Sequence, residues 1–213
     1  MRAGNCYVFG AGEDFGDFPQ PAPGDFVIAA DGGYSRLEAR GISADLIIGD
    51  FDSLDTPPQG DHVVRLPREK DHTDMLAAIL VGLQQGFRRF HIYGGTGGRF
   101  DHTMANLQCL AFIAEAGARG FLYGADQVST ILKNGKISFP SEAVGLISAF
   151  AYTDIALGVT EQGLQYRLDA ATMKNTYPRG VSNAFTGVPS TITVEEGMLL
   201  VIYPKGVAPL DEV

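Results

Sequence analysis

The chain has 213 residues, 45% hydrophobic and 19% charged, which is enough apolar material for one large domain or two modest ones. Its formal net charge of −9 argues against a general nucleic-acid binder, which needs a basic surface. No apolar run approaches the roughly 18 residues of a membrane span, and the N-terminal MRAGNCYVFG is too short in its apolar part for a signal sequence, so a cytoplasmic protein without membrane partners is expected. Cys6 and Cys109 stand in apolar contexts and outside any CxxC pair, and read as buried thiols.

In chain order, CYVFG reads as a strand ending in the glycine turn GAGE, and DFVIAADGG repeats the arrangement. SRLEARG has the look of a short helix closed by Gly41, DLIIGD is a third strand, and HVVRLP is a fourth, stopped by Pro67. TDMLAAILVGLQQG has helical spacing, with Leu76, Ile79, Leu80 and Leu83 on one face and Thr73 as N-cap. RFHIYGG is a fifth strand, HTMANLQCLAFIAEAG a second strong helix and RGFLYG a sixth strand. Apolar strands separated by helices imply a mostly parallel sheet covered on both faces. Ligands bind such sheets where loops leave the carboxyl ends of the strands.

After about residue 126 the texture changes to short β-like runs punctuated by Asn-Gly, Gly and Pro: STILKNGKISF, GLISAFAYT, IALGVTEQGLQYRL and STITVEEGMLLVIYP. Asn134-Gly135 reads as a hairpin turn between two strands. The fold expected is an N-terminal Rossmann-like α/β domain over 1–126 followed by a small β-sandwich domain over 127–213.

Carboxylates gather at the strand ends of the first half. Asp31 follows VIAA, Asp50 and Asp52 follow LIIG, Asp71 and Asp74 lie in EKDHTD, and Asp101 lies in GGTGGRFDH. A lone Asp after a strand is usually a turn former, and Asp74 taken alone could simply favour a helix dipole. Several together would repel unless a cation neutralised them. Mg²⁺ favours carboxylate oxygens and substrate phosphates, which fits phosphoryl or pyrophosphoryl transfer. If the chain stays extended through Phe51, Asp50 and Asp52 point to the same side. Gly94, Gly95, Gly97 and Gly98 let the backbone approach a ligand closely, and the following helix N-terminus can receive a phosphate. Arg99 adds a fixed cation. GAGE is only half a dinucleotide fingerprint and is weak by itself. His72 and His102 each stand beside an aspartate and are poor Mg²⁺ ligands.

ADGGYSRL, IIGDFDSL, EKDHTD and GGTGGRFDH, in that order, followed by GLQYRL and RGVSNAF, resemble the thiamine pyrophosphokinase family over nearly the whole chain. The resemblance implies transfer of pyrophosphate from ATP to the hydroxyethyl group of thiamine, with Mg²⁺. It also implies a homodimer whose sites are shared between subunits. Carried over by motif, Asp31, Asp50, Asp52 and Asp74 would hold metal and pyrophosphate, with Asp50, Asp52 and Asp74 the catalytic set. Thr73, Arg99, Asp101 and His102, with glycines 94, 95, 97 and 98, would face ATP, and Tyr166, Ser182 and Asn183 would meet thiamine. The chain departs from the family at Gln165, where lysine is common, and at Tyr166, where some members have Trp. Two other readings compete: a Mg²⁺-dependent phosphohydrolase with Asp50 as nucleophile, and a non-catalytic nucleotide or thiamine sensor.

Overall fold

The computed structural model describes residues 2, 4–16, 18–51 and 58–210. The chain divides into two compact units, Met1–Gly124 and Ala125–Val213. Together they make a mixed α/β protein with few helices. No helix among the described residues is long and apolar enough to cross a membrane.

The first unit contains β1 (Cys6–Phe9), β2 (Phe26–Ala30), α1 (Gly33–Ala39), β3 (Leu46–Gly49), β4 (Val63–Arg65), α2 (Asp74–Gln84), β5 (Arg89–Tyr93), α3 (Phe100–Glu115) and β6 (Arg119–Tyr123). The strands run parallel in the order β6-β5-β1-β2-β3-β4. β1 is buried at every position, which is why its sequence is an unbroken apolar run rather than an alternation. Strand order reverses on either side of β1, and loops leaving the carboxyl ends of neighbouring strands diverge there to open a crevice.

Two rows of rings cross one face of the sheet. Tyr7, His91 and Phe121 occupy one register row, and Phe9 and Tyr93 the next, with Phe18 stacked on Phe9 and Tyr123 on Tyr93. Helix α2 packs on the opposite face, where Gly82 leaves room for Phe90 and Cys6. Both cysteines are free and buried; burial raises the Cys109 thiol to about 11 and the Cys6 thiol higher still.

His91 yields a stability prediction. Burial, reinforced by the Arg89 guanidinium, lowers its pKa from 6.5 to about 4, and Nδ1 lies 2.8 Å from the Tyr123 hydroxyl. The folded state therefore holds His91 neutral while the unfolded chain protonates it near 6.5. Stability contributed by neutral His91 is present above pH 6.5 and lost as pH falls from 6.5 toward 4. The full loss is on the order of 3 kcal/mol. Thermal midpoints measured across that window should fall more steeply in the wild type than in His91→Phe, and parallel curves would refute the assignment.

The second unit contains β7 (Gln127–Phe139), β8 (Leu146–Ala151), β9 (Ile155–Gln162), β10 (Leu168–Lys174), β11 (Asn183–Ala184) and β12 (Ser190–Pro204). Its pairings are antiparallel. β12 lies along the whole of β7 on one edge; on its other edge the first half pairs with β9 and the second half with β8. β10 extends beyond β9, and β11 beyond β8.

Asn134-Gly135 is not a hairpin turn. The chain runs straight through it within β7, with Asn134 at φ 43°. The partner strand carries the irregularity: the register shifts between Val194 and Met198, and Gly197 N–H donates to Asn134 Oδ1 at 2.8 Å. The left-handed residue serves a bulge, which the same dipeptide can satisfy as readily as a type I′ turn.

Candidate active site

The carboxyl ends of β1, β2 and β5 and the N-termini of α2 and α3 border a cleft of about 490 Å³. Its lining includes Gly10–Glu13, Asp31, Arg36, Thr73, Asp74, Gly94, Gly95, Gly97, Gly98, Arg99 and His102. Local backbone rules account for this arrangement. Thr73 is the N-cap of α2, and its hydroxyl accepts from Leu76 N–H at 3.1 Å, so Asp74 begins the helix and faces the cleft. Asp31 sits in the left-handed region at φ 48°, between β2 and α1, with its N–H bonded to the Ile48 carbonyl at 2.8 Å. Such a conformation is costly for a residue bearing Cβ and persists only where neighbours hold it.

The two glycine-rich loops are joined along their backbones. Gly12 N–H donates to the Gly94 carbonyl at 2.7 Å and Glu13 N–H to the Thr96 carbonyl at 2.9 Å. Gly98 N–H donates to Glu13 Oε1 at 3.3 Å, the kind of bond a phosphate oxygen could also accept. Asn106, buried in α3, donates to the Gly95 carbonyl at 2.6 Å, and Arg36 of α1 donates to the Ala11 carbonyl at 2.7 Å. GAGE is therefore part of the cleft itself, a role its weak sequence signal did not reveal.

Beside the cleft, Lys70 links two carboxylates. Its ammonium stands 3.0 Å from Asp74 Oδ1 and 3.4 Å from Asp50 Oδ2. Burial lowers the lysine pKa, but Asp74 and Asp50 outweigh it and hold the ammonium above its ordinary value. Burial raises the Asp74 carboxyl; Lys70 opposes the shift, while Asp31 and Asp50 add to it. Asp74 thus feels the charge of both other aspartates. Sequence reasoning missed Lys70, although its i,i+4 spacing to Asp74 was visible.

Not every expected residue converges on the cleft. Asp101 is absent from its lining and pairs instead with Arg99 on the exposed side, Nη2 to Oδ2 at 2.6 Å and Nε to Oδ1 at 3.2 Å. Asp50 reaches the group through Lys70 rather than by lining the cleft. Asp52 lies outside the described residues. Phe51 is buried but adopts φ 57°, so the chain does not stay extended through it. Among the described residues, no group of three or more acidic, imidazole or thiol side chains is placed to hold a metal ion. The donor chemistry still fits Mg²⁺, because the charges of Asp31 and Asp50 help raise the Asp74 pKa, a repulsion between hard oxygens that a divalent cation relieves.

Tyr166, Ser182 and Asn183 belong to the second unit. Tyr166 is exposed, Ser182 has φ 57°, and Asn183 is buried. Residues 163–166 are stitched to 183–186 by the Leu164–Phe185 bridge, by Gln165 N–H to the Ala184 carbonyl at 3.0 Å, and by the Thr186 hydroxyl to the Gly163 carbonyl at 2.9 Å.

The catalytic domain of thiamin pyrophosphokinase matches residues 22–119. A curated relative, thiamin pyrophosphokinase 1 of Caenorhabditis elegans, is 33% identical over 94 residues, covering 39% of this chain. The match spans only 38% of that relative's length. Among solved structures, thiamine pyrophosphokinase from Bacillus subtilis aligns over 94% of this chain and 98% of its own, with a TM-score of 0.82 at 22% identity. Yeast thiamin pyrophosphokinase aligns over 96% and 86%, with a TM-score of 0.75 at 15% identity. At such identities these two show a shared fold.

The thiamin pyrophosphokinase match takes in Asp31, Asp50, Lys70, Thr73, Asp74 and the loop from Gly94 to His102. It leaves out Gly10–Glu13, which lie before residue 22, and all of the second unit.

Proposed function

We propose that the protein is a thiamine diphosphokinase, transferring the pyrophosphoryl group of ATP to the hydroxyethyl oxygen of thiamine and releasing AMP. One observation carries this reading: in a chain whose residues 22–119 match the family's catalytic-domain model, two glycine-rich loops and Asp31 and Asp74 border a single cleft. The unit expected over 1–126 would take ATP and Mg²⁺, and the β unit over 127–213 would take thiamine on the surface built around Tyr166, Ser182 and Asn183. The working form is proposed as a cytoplasmic homodimer whose sites are shared between subunits.

Asp31, Asp50 and Asp74, with Asp52, would hold Mg²⁺, which offsets the charge of the pyrophosphoryl group when bound. The backbone N–H groups around Gly97 and Gly98 and the start of α3 suit phosphate oxygens, and Arg99 and His102 add donors at the cleft wall. Thr73 fixes the first turn of α2, so that Asp74 keeps its aim at the cleft. Lys70 neutralises two carboxylates in place, and its ammonium is a natural partner for a phosphate oxygen once those carboxylates are otherwise engaged.

The deciding experiment measures AMP and thiamine diphosphate from ATP and Mg²⁺, with and without thiamine. The expected result is AMP formation that requires thiamine. Phosphate release without thiamine would favour a hydrolase using Asp50, and no turnover would favour a sensor.

A further inference from the structure

We propose that Glu161 is a positioning residue for the thiamine-facing surface of the second unit, acting through Asn183, and that neither side chain touches the substrate. This rests on the reading of that unit as thiamine-binding.

The Asn183 side chain is fully used inside the protein. Nδ2 donates to Glu161 Oε2 at 2.7 Å and to the Tyr166 carbonyl at 2.6 Å. Oδ1 accepts from Tyr166 N–H at 2.8 Å and from Ala184 N–H at 2.9 Å. A side-chain amide offers two donors and an oxygen with two lone pairs, so nothing is left for a ligand. Asn183 is also only 4% exposed. The residue that by resemblance would meet thiamine has a different task here: it grips the backbone of Tyr166 at both its N–H and its carbonyl.

What this grip presents is outward-facing. Tyr166 is 61% exposed. Ser182, immediately before Asn183, sits at φ 57° with its N–H bonded to the Ser148 hydroxyl at 3.0 Å. A serine in that region persists only when its flanks are pinned, and Asn183 is one of those flanks.

Glu161 reinforces the amide orientation that the Tyr166 and Ala184 backbone groups also select. It lies on β9 at 2% exposure, and among the described residues its Oε1 has no hydrogen-bond partner. A buried carboxylate with an oxygen left unmatched is an expensive way to fill space. Burial raises its pKa, opposed by the Asn183 hydrogen bond and the Arg179 charge; in its ionised form it can only accept. The Asn183 NH₂ must therefore face it, which turns Oδ1 toward the two backbone N–H groups. A flipped amide would set oxygen against oxygen.

The test compares Glu161→Leu, Glu161→Gln and wild type, reading thiamine and ATP kinetics together with hydrogen–deuterium exchange. In Glu161→Leu, the KM for thiamine should rise about tenfold, the scale of one lost buried hydrogen bond, while the KM for ATP stays within about twofold. The Tyr166 and Ala184 amides should exchange faster in that variant. Glu161→Gln, whose side-chain oxygen can still accept from Asn183, should restore both readouts.

A thiamine KM unchanged in Glu161→Leu, or exchange at those amides unchanged, would overturn the proposal. So would a glutamine variant as impaired as leucine, because the carboxylate charge itself would then be what thiamine feels. If Glu161→Leu fails to fold, Asn183→Asp sets a second carboxylate against Glu161 and should raise the thiamine KM alone; an unchanged KM there would likewise overturn it. A wild type that forms no AMP would refute the functional reading, whereas the exchange measurement would still decide the Glu161–Asn183 clamp.

Discussion

Asp74→Asn is expected to reduce turnover on the order of a thousandfold, the scale at which a preorganised electrostatic group is lost from a phosphoryl-transfer site, while the protein stays folded. Asparagine keeps the shape and one acceptor oxygen but removes the charge. Asp74 is tightly constrained by its surroundings: it opens α2 behind the Thr73 cap, it borders the cleft, and it shares Lys70 with Asp50. Two stability effects work against each other. A first-turn carboxylate contributes about 0.3–1 kcal/mol through the helix dipole, and that is lost. Burial holds the Asp74 pKa up, so neutralising the group relieves a desolvation cost. Lys70 retains Asp50. The thermal midpoint should therefore move by no more than about 4 °C. Steady-state AMP formation read beside a melting curve checks the pair of expectations. Near-normal turnover would remove Asp74 from the machinery, and a collapsed melting curve would show that its role is structural.

The parallel half of the fold was readable because physics writes it plainly. A strand buried on both faces must be apolar at successive positions, and CYVF and FVIAA are. Thr73 was legible as a cap because few residue types offer an oxygen at that position. Phe51 shows where such reading stops. Its apolar side chain announces burial, but nothing in its identity announces φ 57°, and that angle ends the extended run on which a strand-like alternation depends. Asn134 fails in a similar way, since a tolerance for left-handed φ serves a bulge as well as a turn.

Long-range polar contacts were the least legible. Lys70 carries no sequence signal for its bond to Asp50, which crosses 20 residues of sequence. Asn183 was visible as part of a motif, but only distances reveal that all its hydrogen-bonding capacity is spent internally. GAGE was undervalued for the opposite reason. Its sequence is a fragment of a commoner fingerprint, and its role depends on Gly94 and Thr96, some eighty residues away in the chain.

That dependence makes Gly12→Ala the second large expected effect. A Cβ at Gly12 would overlap the Gly94 carbonyl oxygen and come within 2.7 Å of the Thr96 carbonyl oxygen. Both obstacles are backbone atoms, so no rotamer change can relieve the clash. The two loops must separate, and the bonds from Gly12 N–H to Gly94 and from Glu13 N–H to Thr96 lengthen or break. Overpacking of this kind costs roughly 1–3 kcal/mol, so the midpoint should drop on the order of 5 °C. The functional loss should exceed the loss of stability, because the loops that part are those lining the cleft. The KM for ATP should rise at least about tenfold, with the KM for thiamine moving far less. Gly206→Ala is the control: no atom lies within 4 Å of a Cβ there and no positive φ is imposed, so it should leave both constants and the midpoint unchanged. If Gly12→Ala bound ATP as the wild type does, the joined loops would not be the nucleotide seat. The cleft would then have to be assigned to another ligand.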